Sequence, residues 1–518
     1  MKNNFFKKII LISIIFILLS TTLVTGIQNQ TNKYINTTNR NHKIINNKIK
    51  NNHGYEQFLV KSYKTMELPI SLDNKENKKI NIEPIETPDV YSWTDIDSED
   101  WTTYAKNQGN CGSCWLFSAM GAFESVINIR ENCYNLNPDL SEQYVLSCLP
   151  EAGSCHGGNI ENCVFYYIMN TSDPGYNCNG VIPEEIFNYQ STFENIPPCS
   201  DKPPEWADYL IPILDYNESW PDLDDPTLID AMKTLIYQKG PIMIYFWASD
   251  RFIRWGGYHK DPLEYYPDYN ENTPYYVNHG ITIVGWKDDP NIGNGGYWIC
   301  KNTWGPNWGY KGFVNIEYNI LNLGGFIAWV DYDPETYDWP PVANSGGFYQ
   351  GSVGEEIIFD AEKSVDPEGE IISYIWDFGD NLTDNGQTIT HIYDEPGVYP
   401  VTLTVVDNVG QENSKVTLVG VDQEPLSVEI SGGIGITINF DNPVDLELKN
   451  WEYDIEIEGI VIPNKISGIY RSIPANGEIE TDISVFGIGF GKIHVMIEDF
   501  SKTQNLFIFG PFVKIFNR

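Results

Sequence analysis

The placement of its cysteines is the feature that most constrains this chain. All nine lie within one stretch of 190 residues, and the rest of the 518-residue sequence has none. They are Cys111, Cys114, Cys133, Cys148, Cys155, Cys163, Cys178, Cys199 and Cys300. An odd count in an exported segment indicates one thiol that is kept free while the others pair, in a pattern that a sequence cannot resolve. We therefore expect one disulfide-containing domain with a distinctive free thiol.

The first 26 residues have the pattern of an export segment. The basic start Met1–Lys8 precedes an apolar stretch, Ile9–Leu19, which only Ser13 interrupts. This stretch is short for a spanning helix of about 20 residues, yet no clear small-residue cleavage site is found near Gly26. A cleaved signal peptide and a retained N-terminal membrane anchor both remain open. Either one predicts a secreted or cell-surface protein.

The charge of the chain excludes one class of partner. The net charge is -38, from 33 Lys and Arg against 71 Asp and Glu. Residues 1–89 hold 13 basic and 7 acidic side chains, so the remainder has 20 against 64 and a net charge of −44. A protein region with this much negative charge repels phosphate backbones. We therefore predict no nucleic-acid partner.

Changes in sequence texture divide the chain into five parts. After the export segment, residues 27–89 begin rich in Asn, Lys and Thr and are interpreted as a leader or linker. A mixed globular pattern spans 90–335. Short alternating runs separated by Gly, Asn and Asp turns then fill 340–422 and 423–518, which is the texture of all-β modules.

A candidate reactive thiol lies where a Gly-rich turn becomes an amphipathic helical run. The segment reads Gln108-Gly-Asn-Cys111-Gly-Ser-Cys114-Trp115. A thiol in the first turn of a helix faces unpaired N–H groups and the positive end of the helix dipole, which favour the nucleophilic thiolate. The local alternative is that Cys111 and Cys114 form a redox pair or half of a zinc site.

Two further segments place a histidine and an asparagine beside predicted buried strands. The run Tyr276-Val-Asn-His279-Gly-Ile-Thr-Ile-Val-Gly-Trp286 reads as a strand that starts at the histidine. Gly296-Tyr-Trp-Ile-Cys-Lys-Asn302-Thr-Trp304 reads as a second strand that opens into an aromatic, Gly-rich loop.

Together these segments resemble the papain family of cysteine peptidases. A C-G-[SA]-C-[WY] signature with a downstream His and Asn is the mark of this family. Leu140-Ser-Glu-Gln143 and Cys155-His-Gly-Gly158 match as well, in the expected order. The resemblance implies an α+β catalytic domain with a helical half and a β-barrel-like half.

Carried over to this sequence, the resemblance implies a catalytic set. Cys114 is the nucleophile, His279 the base and later the acid, and Asn302 orients the imidazole. Gln108 donates to the oxyanion together with the backbone N–H of Cys114. An imidazolium beside sulfur stabilises thiolate, and preorganised donors stabilise the tetrahedral intermediate.

The resemblance also implies how the protein binds its substrates. Gly157 and Gly158 match the stretch along which a peptide lies, although glycines there also suit a turn with positive φ. Trp304 matches the indole that covers the Asn–His hydrogen bond. Protein or peptide substrates are implied, with no cofactor and no metal.

The resemblance implies disulfides as well. Cys111 with Cys155 matches one family bridge. Cys148 with Cys199 matches a second, for which Cys178 is the competing partner. Cys300, inside a predicted strand, reads as a buried small apolar residue rather than a ligand.

Two regions depart from the family pattern. His279 lies 165 residues after Cys114, beyond the roughly 130–150 typical of the family, and we expect Ser200–Asp225 and His259–Asn278 to be inserted loops at the cleft walls. The leader has no helical inhibitory pattern, so the sequence does not assign it an inhibitory role. The mature N-terminus is expected near Val90.

The alternating region at 340–422 resembles a PKD domain, an immunoglobulin-like sandwich common on secreted and cell-surface proteins. The match rests on Ser364-Val-Asp-Pro-Glu-Gly-Glu-Ile-Ile-Ser-Tyr374-Ile-Trp376-Asp-Phe-Gly-Asp380 and His391–Val405. Trp376 and Tyr399 are expected in its core, and Asp377 and Asp380 in the turn after a strand. The acidic side chains favour a solvated face over a metal site.

The last module, residues 423–518, resembles immunoglobulin-like β domains more generally. Neither β module shows catalytic spacing. Surface display, spacing, substrate docking and binding of cell-surface ligands are open roles for them.

The sequence therefore predicts an exported cysteine endopeptidase that acts through a thioester acyl-enzyme and carries two all-β sandwich modules. One alternative is a transpeptidase or ligase, because the same thioester can pass to an amine where water is excluded. Another is a surface adhesin with an incidental peptidase domain.

Overall fold

The computed structural model describes residues 64–67, 69–73, 75, 80–159, 161–170, 179–258, 261–458, 460–462, 465–483, 485–497 and 500–516. The predicted signal or anchor, most of the predicted leader and Cys178 lie outside these residues. Within the described residues, no helix combines the length and apolar character that crossing a bilayer requires.

The first domain combines helices with short and long strands. Its helices are α1 (Cys114–Arg130), α2 (Glu142–Cys148), α3 (Val164–Asn170), α4 (Leu228–Lys239) and α5 (Asp250–Tyr258). Its first strands are β1 (Ile70–Ser71), β2 (Val90–Ser92), β3 (Gly153–Ser154), β4 (Gly157–Gly158), β5 (Gly180–Val181), β6 (Ile211–Pro212) and β7 (Asp215–Ser219). The others are β8 (Ile242–Phe246), β9 (Tyr265–Tyr266), β10 (Tyr276–Val277), β11 (His279–Asp288), β12 (Gly296–Lys301), β13 (Phe313–Glu317) and β14 (Phe326–Asp331).

An eight-stranded sheet forms one half of this domain. Its strand order is β7-β14-β8-β11-β12-β13-β9, and β2 also pairs with β11. Strands β8 and β11 are buried along most of their length because they lie in the middle of the sheet. Helix α1 packs against β8, β11 and β14, so the helical half of the domain meets the sheet along this helix.

Helix α1 is buried on all sides, and the prediction of an amphipathic helix is wrong here. Every residue from Cys114 to Asn128 is buried. The polar positions that suggested an outer face lie inside the protein with hydrogen-bond partners instead. For example, the Ser125 hydroxyl donates to the Gly121 carbonyl oxygen at 2.7 Å. A helix surrounded by protein has no solvent-exposed face, so polar positions in its sequence do not mark one.

A buried charge cluster holds α1 in place. The Glu124 carboxylate, which is fully buried, lies 2.6 Å from Lys106 Nζ and 3.9 Å from Lys301 Nζ. Lys106 also pairs with Asp139 at 2.6 Å. Burial alone would lower the pKa of Lys106, but the surrounding carboxylates hold that pKa well above its usual value. A buried charge needs such partners, since leaving it unpaired costs about 3–5 kcal/mol.

The structure contains two disulfides, Cys111–Cys155 and Cys148–Cys199, which join residues 44 and 51 positions apart. The expectation that only one thiol stays free is wrong for the described residues. Free and buried are Cys114, Cys133, Cys163 and Cys300. Cys300 lies within β12, where its cross-strand neighbours are Ile283 and Val314. It therefore behaves as a small apolar core residue.

The segment 200–225 is more ordered than the predicted loop. It contains β6 and β7, and β7 pairs with β14 at the edge of the main sheet. Exposed residues alternate with partly or fully buried ones along β7, as expected for an edge strand with one face toward solvent. Parts of this segment therefore belong to sheets of the first domain rather than to a free loop over the cleft.

The second region is a β-sandwich. Its strands are β15 (Tyr349–Gly351), β16 (Glu356–Asp360), β17 (Ile371–Asp377), β18 (Thr383–Asn385), β19 (Thr388–Ile392), β20 (Gly397–Asp407) and β21 (Glu412–Val421). Five form a sheet in the order β15-β21-β20-β17-β18, and β16 pairs with β19. Trp376 is fully buried between them, and Tyr399 packs against this core. The Asp377 and Asp380 carboxylates accept from Gly379 N and Leu382 N at 3.0 Å, which fixes the turn after β17.

The C-terminal module is also all-β. Its strands are β22 (Ser427–Gly433), β23 (Gly435–Asp441), β24 (Leu448–Ile457), β25 (Ile460–Ile462), β26 (Lys465–Ile473), β27 (Glu478–Ile483), β28 (Phe486–Ile497), β29 (Phe500–Gly510) and β30 (Phe512–Phe516). They form a three-stranded sheet, β22-β23-β27, and a six-stranded sheet in the order β26-β24-β28-β29-β30 with β25 beside β28. The prediction of an α+β domain followed by two all-β modules is confirmed.

The C-terminal module contacts both other parts of the molecule. The ring of Trp451 meets Phe348 of the second region edge to face, with centroids 5.1 Å apart. The Tyr453 hydroxyl lies 3.4 Å from Asn307 Oδ1, and Asp454 lies 3.4 Å from Lys311 Nζ. Asn307 and Lys311 belong to the loop between β12 and β13 of the first domain, so this module rests on that loop.

We expect the Cys111–Cys155 disulfide to stabilise the first domain substantially. A bridge that closes a loop of this length removes unfolded-state entropy worth about 4 kcal/mol. The paired replacement Cys111→Ser and Cys155→Ser should therefore lower the free energy of unfolding by roughly this amount. Guanidinium unfolding followed by tryptophan fluorescence measures the change. If the unfolding transition of the first domain does not shift, the expectation is wrong. Thr437→Ala, in the C-terminal module, is the control that should leave this transition unchanged.

Candidate active site

The Cys114 thiol lies at the first residue of α1. The preceding residue, Ser113, is the N-cap, and its side chain makes no capping hydrogen bond. Backbone N–H groups of Gly280 and Trp115 lie close enough to the sulfur to lower the pKa of the thiol, against the effect of burial. The first N–H groups of a helix have no partner within the helix, and they favour negative charge near them. The sequence-based expectation of a thiol at a helix start is confirmed.

The histidine and asparagine boxes meet on neighbouring strands. His279 is the first residue of β11, and Asn302 follows directly after β12, which pairs with β11. His279 Nε2 and Asn302 Oδ1 are 2.8 Å apart. Since an amide oxygen only accepts, Nε2 carries the proton and donates it to Asn302. This bond fixes the orientation of the imidazole ring.

The other ring nitrogen of His279 is buried and has no hydrogen-bond partner in the described residues. With the proton on Nε2, Nδ1 is an acceptor. Strand β11 passes so close to the start of α1 that a Cβ added at Gly280 would lie 2.7 Å from the Cys114 carbonyl oxygen. The ring therefore presents a free base next to the start of α1, where the thiol lies.

Trp304 covers this pair. Its ring stacks on the His279 imidazole with centroids 4.3 Å apart and an interplanar angle of 23°. Stacked in this way, the indole shields the histidine and its hydrogen bond to Asn302 from water. A shielded hydrogen bond is stronger than one exposed to water.

Gln108 is fully buried beside the turn that carries the disulfide. Its Nε2 donates to the Cys111 carbonyl oxygen at 2.7 Å, and its Oε1 accepts from the Thr303 hydroxyl at 2.6 Å. An amide nitrogen has two N–H donors, so the bond to Cys111 uses only one of them. Thr303 follows Asn302, and thus Gln108 and Asn302 are held by the same chain segment.

Gly157 and Gly158 form the short strand β4 at the edge of the cleft. A Cβ at Gly158 would lie 2.9 Å from Trp115 Cγ, closer than a real Cβ approaches its neighbours. Gly157 has φ of 146°, where side chains are strained. Glycine is therefore favoured at both positions, at Gly158 by the close approach of Trp115 and at Gly157 by the positive φ.

Part of the predicted leader lies in this cleft. The Met66 N–H donates to the Asn278 carbonyl oxygen at 2.8 Å, and the Glu67 N–H donates to that of His156 at 3.0 Å. The Trp304 indole N–H donates to the Lys64 carbonyl oxygen at 2.9 Å. The leader backbone thus contacts the wall beside β4, the residue before His279 and the covering indole.

The leader continues along the cleft as an extended strand. Strand β1 pairs antiparallel with β10, and the Leu72 N–H donates to the Tyr275 carbonyl oxygen at 3.1 Å. Met66, Ile70 and Leu72 are buried, with exposed fractions of 2%, 3% and 8%. The sequence assigned the leader no inhibitory role because it lacks a helical pattern. The structure differs, since an extended segment covers the thiol and needs no helical pattern to do so.

In the leader-covered site, burial sets the protonation of Cys114 and His279. It raises the pKa of the Cys114 thiol to about 12, although the backbone N–H groups around the sulfur counteract this shift. It lowers the pKa of His279 to about 4, partly offset by the bond to Asn302. At neutral pH the covered site therefore holds a thiol and a neutral imidazole. The ion pair that makes the sulfur nucleophilic is disfavoured.

Several residues of the cleft were not predicted from the sequence. His156 and Asn278 act through their backbone carbonyl oxygens, which any residue type provides, so no sequence signal marks them. Lys301 is different, because a lysine inside a buried strand directly before Asn302 needs a carboxylate partner. That pattern could have revealed its pairing with Glu124. No group of three or more potential metal ligands occurs in the part of the chain that the structure describes.

Comparison with protein families gives two matches. The model of the papain family of cysteine proteases matches residues 87–327, and a PKD domain model matches residues 338–420. The resemblance to both families that the sequence motifs indicated is confirmed.

Individual relatives share the first domain. Viral cathepsin of Heliothis zea nuclear polyhedrosis virus is 31% identical over 250 residues, which are 48% of this chain and 58% of that protein. A cathepsin L-like protein of Caenorhabditis elegans is 30% identical over 259 residues, 48% of this chain and 64% of the relative. The chain thus spans less than two thirds of these relatives' lengths. A structure of digestive procathepsin L2 proteinase from Tenebrio molitor larval midgut is 25% identical, with a TM-score of 0.41, and covers 54% of this chain and 80% of that one.

We expect Cys114 to react slowly with iodoacetamide in the intact chain, at a rate that rises with pH up to at least pH 10. Since the thiol pKa is about 12, thiolate is a minor species at lower pH. Met66→Asp puts a charge in the buried leader contact and should expel the segment. Each unit by which the thiol pKa then falls gives about tenfold more thiolate at neutral pH.

The rate of Cys114 carboxamidomethylation, followed by peptide mass spectrometry, measures this difference. Ser71→Asp is the matched control, because Ser71 is an exposed residue of the same leader segment. Equal rates in the Met66 variant and the control would contradict the shielding role of the leader.

Proposed function

Residues 87–327 belong to the papain family of cysteine proteases, and from this premise we propose that the protein is an exported cysteine endopeptidase that is made as an inactive precursor. The observation that carries the proposal is the His279–Asn302 hydrogen bond, which leaves His279 Nδ1 free next to the start of α1. The Cys114 thiol lies at that helix start. This arrangement suits acyl transfer from a peptide bond to sulfur.

In the first step His279 Nδ1 takes the proton of the Cys114 thiol. The sulfur attacks the carbonyl carbon of the scissile peptide bond, a C–S bond forms, and the carbonyl oxygen gains negative charge. The tetrahedral intermediate collapses when His279 returns the proton to the amine nitrogen and the C–N bond breaks. A thioester on Cys114 and a free amine product remain.

In the second step water attacks the thioester carbon while His279 accepts a proton from it. The C–S bond breaks, the sulfur leaves, and the acid product is released. Asn302 supports both steps because its neutral amide holds the ring without cancelling the positive charge that the ring acquires. Trp304 stacks on His279 and in this way excludes water from the His279–Asn302 hydrogen bond.

Gln108 and the backbone N–H of Cys114 stabilise the oxyanion in this proposal. The supporting observation is that Gln108 is fixed by Cys111 and Thr303, with one amide N–H left over. Donors that are held in place before the reaction cost no reorganisation when charge develops.

The leader keeps the precursor inactive in this proposal. Its backbone uses the carbonyl oxygens of His156 and Asn278, and its Met66 side chain lies against Gly157. These are the positions along which a peptide substrate is expected to lie, so substrate and leader compete for one site. Cleavage between this segment and Val90 then frees the cleft.

The chain as a whole is proposed to act on proteins or peptides outside the cell. Support comes from the export pattern of the first 26 residues, the two disulfides and the PKD domain. Disulfides persist mainly in oxidising compartments. The two β modules are proposed to provide surface display, spacing or substrate docking, with cell-surface ligands of the PKD domain as possible partners.

The test replaces residues 76–79, between the cleft-bound segment and Val90, with the recognition site of an unrelated protease. Cutting this site should switch on hydrolysis of a fluorogenic peptide library under mild reductant. Cys114→Ala should abolish the hydrolysis. Gln108→Ala should lower kcat by roughly 10²–10³-fold, the usual cost of one oxyanion donor.

The matched control is Cys300→Ala, which removes a free, buried thiol outside the cleft and should retain activity. Hydrolysis that survives in the cut Cys114→Ala protein would refute the proposal. So would a complete lack of hydrolysis in the cut parent protein when its near-UV circular dichroism shows an intact fold. Adding a competing amine and weighing the products distinguishes a hydrolase from a ligase, because only a ligase gives mainly amide products.

A further inference from the structure

One face of the C-terminal module differs from the rest of the surface. Along β28, β29 and β30 the apolar residues occur at both alternating positions. The inward positions, among them Ile493, Leu506 and Val513, fill the core between the two sheets. An antiparallel sheet with one solvated face normally carries polar residues on that face.

Six outward side chains on these strands are apolar instead. We call them the Phe face: Ile488, Phe490, Phe507, Phe509, Phe512 and Phe516. Strand pairing places them next to one another, since Phe490 lies opposite Phe507 and Ile488 opposite Phe509 on the neighbouring strands. Phe509 in turn lies opposite Phe512. The face is therefore one continuous patch across three strands.

Four of its six side chains are strongly exposed. Phe490 is 78% exposed, Phe509 60%, Phe512 57% and Ile488 55%. Ile434, in the turn between β22 and β23, is 82% exposed and forms a bridge to Phe512 at the end of the patch. Scattered exposed apolar residues are ordinary, but a contiguous patch of this kind marks a site of interaction.

The charge of these strands is also unusual. Strands β28, β29 and β30 contain no aspartate or glutamate, in a chain that has 71 such residues. Their charged residues are Lys492, Lys502 and Lys514. Lys492 and Lys514 are outward and exposed, and Lys514 Nζ lies 5.6 Å from the centre of the Phe516 ring. The Phe face thus has lysines and no carboxylates on its own three strands, in a chain that is strongly negative as a whole. Acidic side chains adjoin these strands on the β24 side, where Glu456 lies opposite His494 and Glu458 Oε1 lies 3.1 Å from His494 Nε2.

We propose that the Phe face docks onto an anionic lipid surface. Aromatic rings beside lysines suit the boundary between acyl chains and headgroups, where rings enter the apolar layer and ammonium groups meet anionic headgroups. The remaining acidic surface is repelled by the same headgroups. Charge therefore orients the module with this face toward the bilayer.

A second copy of the chain fits the face less well. The six residues span three strands about 4.8 Å apart and up to three outward positions, or roughly 20 Å, along each strand, which gives a patch of roughly 300 Å². A stable protein interface needs about 800 Å² on each partner. A symmetric pair would also place the lysines of both copies in one small contact, and like charges in a desolvated contact disfavour it. A lipid surface has neither restriction.

The test measures binding of the full chain to vesicles by co-sedimentation, with Cys114→Ala in every protein to prevent self-cleavage. Vesicles contain either phosphatidylcholine alone or a mixture with phosphatidylglycerol. Phe490→Ser, Phe509→Ser and Phe512→Ser in combination should lower partitioning into the mixed vesicles at least tenfold. Lys492→Glu with Lys514→Glu should lower it as well, and only when phosphatidylglycerol is present.

The matched control combines Leu263→Ser, Ile372→Ser and Leu382→Ser, three exposed apolar residues elsewhere on the protein. It should bind like the parent. All proteins retain the predicted N-terminal apolar segment, so its contribution is equal in each. If the serine variant fails to fold, the lysine variant, which leaves the core untouched, still tests the proposal.

Two outcomes would overturn the proposal. One is that neither variant binds mixed vesicles less than the control does. The other is that light scattering without vesicles shows a parent dimer that the serine variant converts to monomer, which would assign the face to a second copy of the chain.

Discussion

The complete burial of α1 is the constraint on which the first domain depends. The helix carries the Cys114 thiol at its start and the Glu124 carboxylate ten residues later, and a carboxylate can be buried only with cationic partners. Lys106 and Lys301 supply them. Because Lys301 directly precedes Asn302, the charge pairing that stabilises the helix also fixes the strand end that orients His279. Stability of the core and geometry of the site are therefore properties of one buried cluster.

The sequence predicted the parts of this site that depend on side-chain chemistry. Cys114, His279 and Asn302 stand out because few residue types can serve as a nucleophile, a base and a neutral orienting amide. The leader's place in the cleft could not be predicted, since it is held largely by backbone hydrogen bonds to carbonyl oxygens of residues such as His156. The amphipathic assignment of α1 was wrong for a related reason. A helix enclosed on every side pairs its polar residues internally, and the sequence shows only their spacing.

The two β modules show the same distinction between regular and irregular patterns. Strand β20 shows the alternation from which the all-β modules were predicted, because one of its faces is buried and the other is partly exposed. Strands β29 and β30 do not show it. Their apolar residues occupy both phases, so the period of two that marks a strand is hidden by the exposed Phe face. Where alternation fails in this module, the cause is a surface that departs from ordinary solvation rather than a break in the sheet.

The covalent attachment of the leader to the domain that it covers has a consequence for how such a protein responds to its surroundings. A ligand on a short tether is present at an effective concentration in the millimolar range, whatever the concentration of the protein. Dilution of the protein therefore leaves the cleft occupied, and any peptide that enters the cleft must compete with a partner that never diffuses away. Whether the cleft is occupied then depends on whether the chain between Leu72 and Val90 has been cut. Each molecule is therefore either covered or open, and only the fraction of open molecules in the population varies.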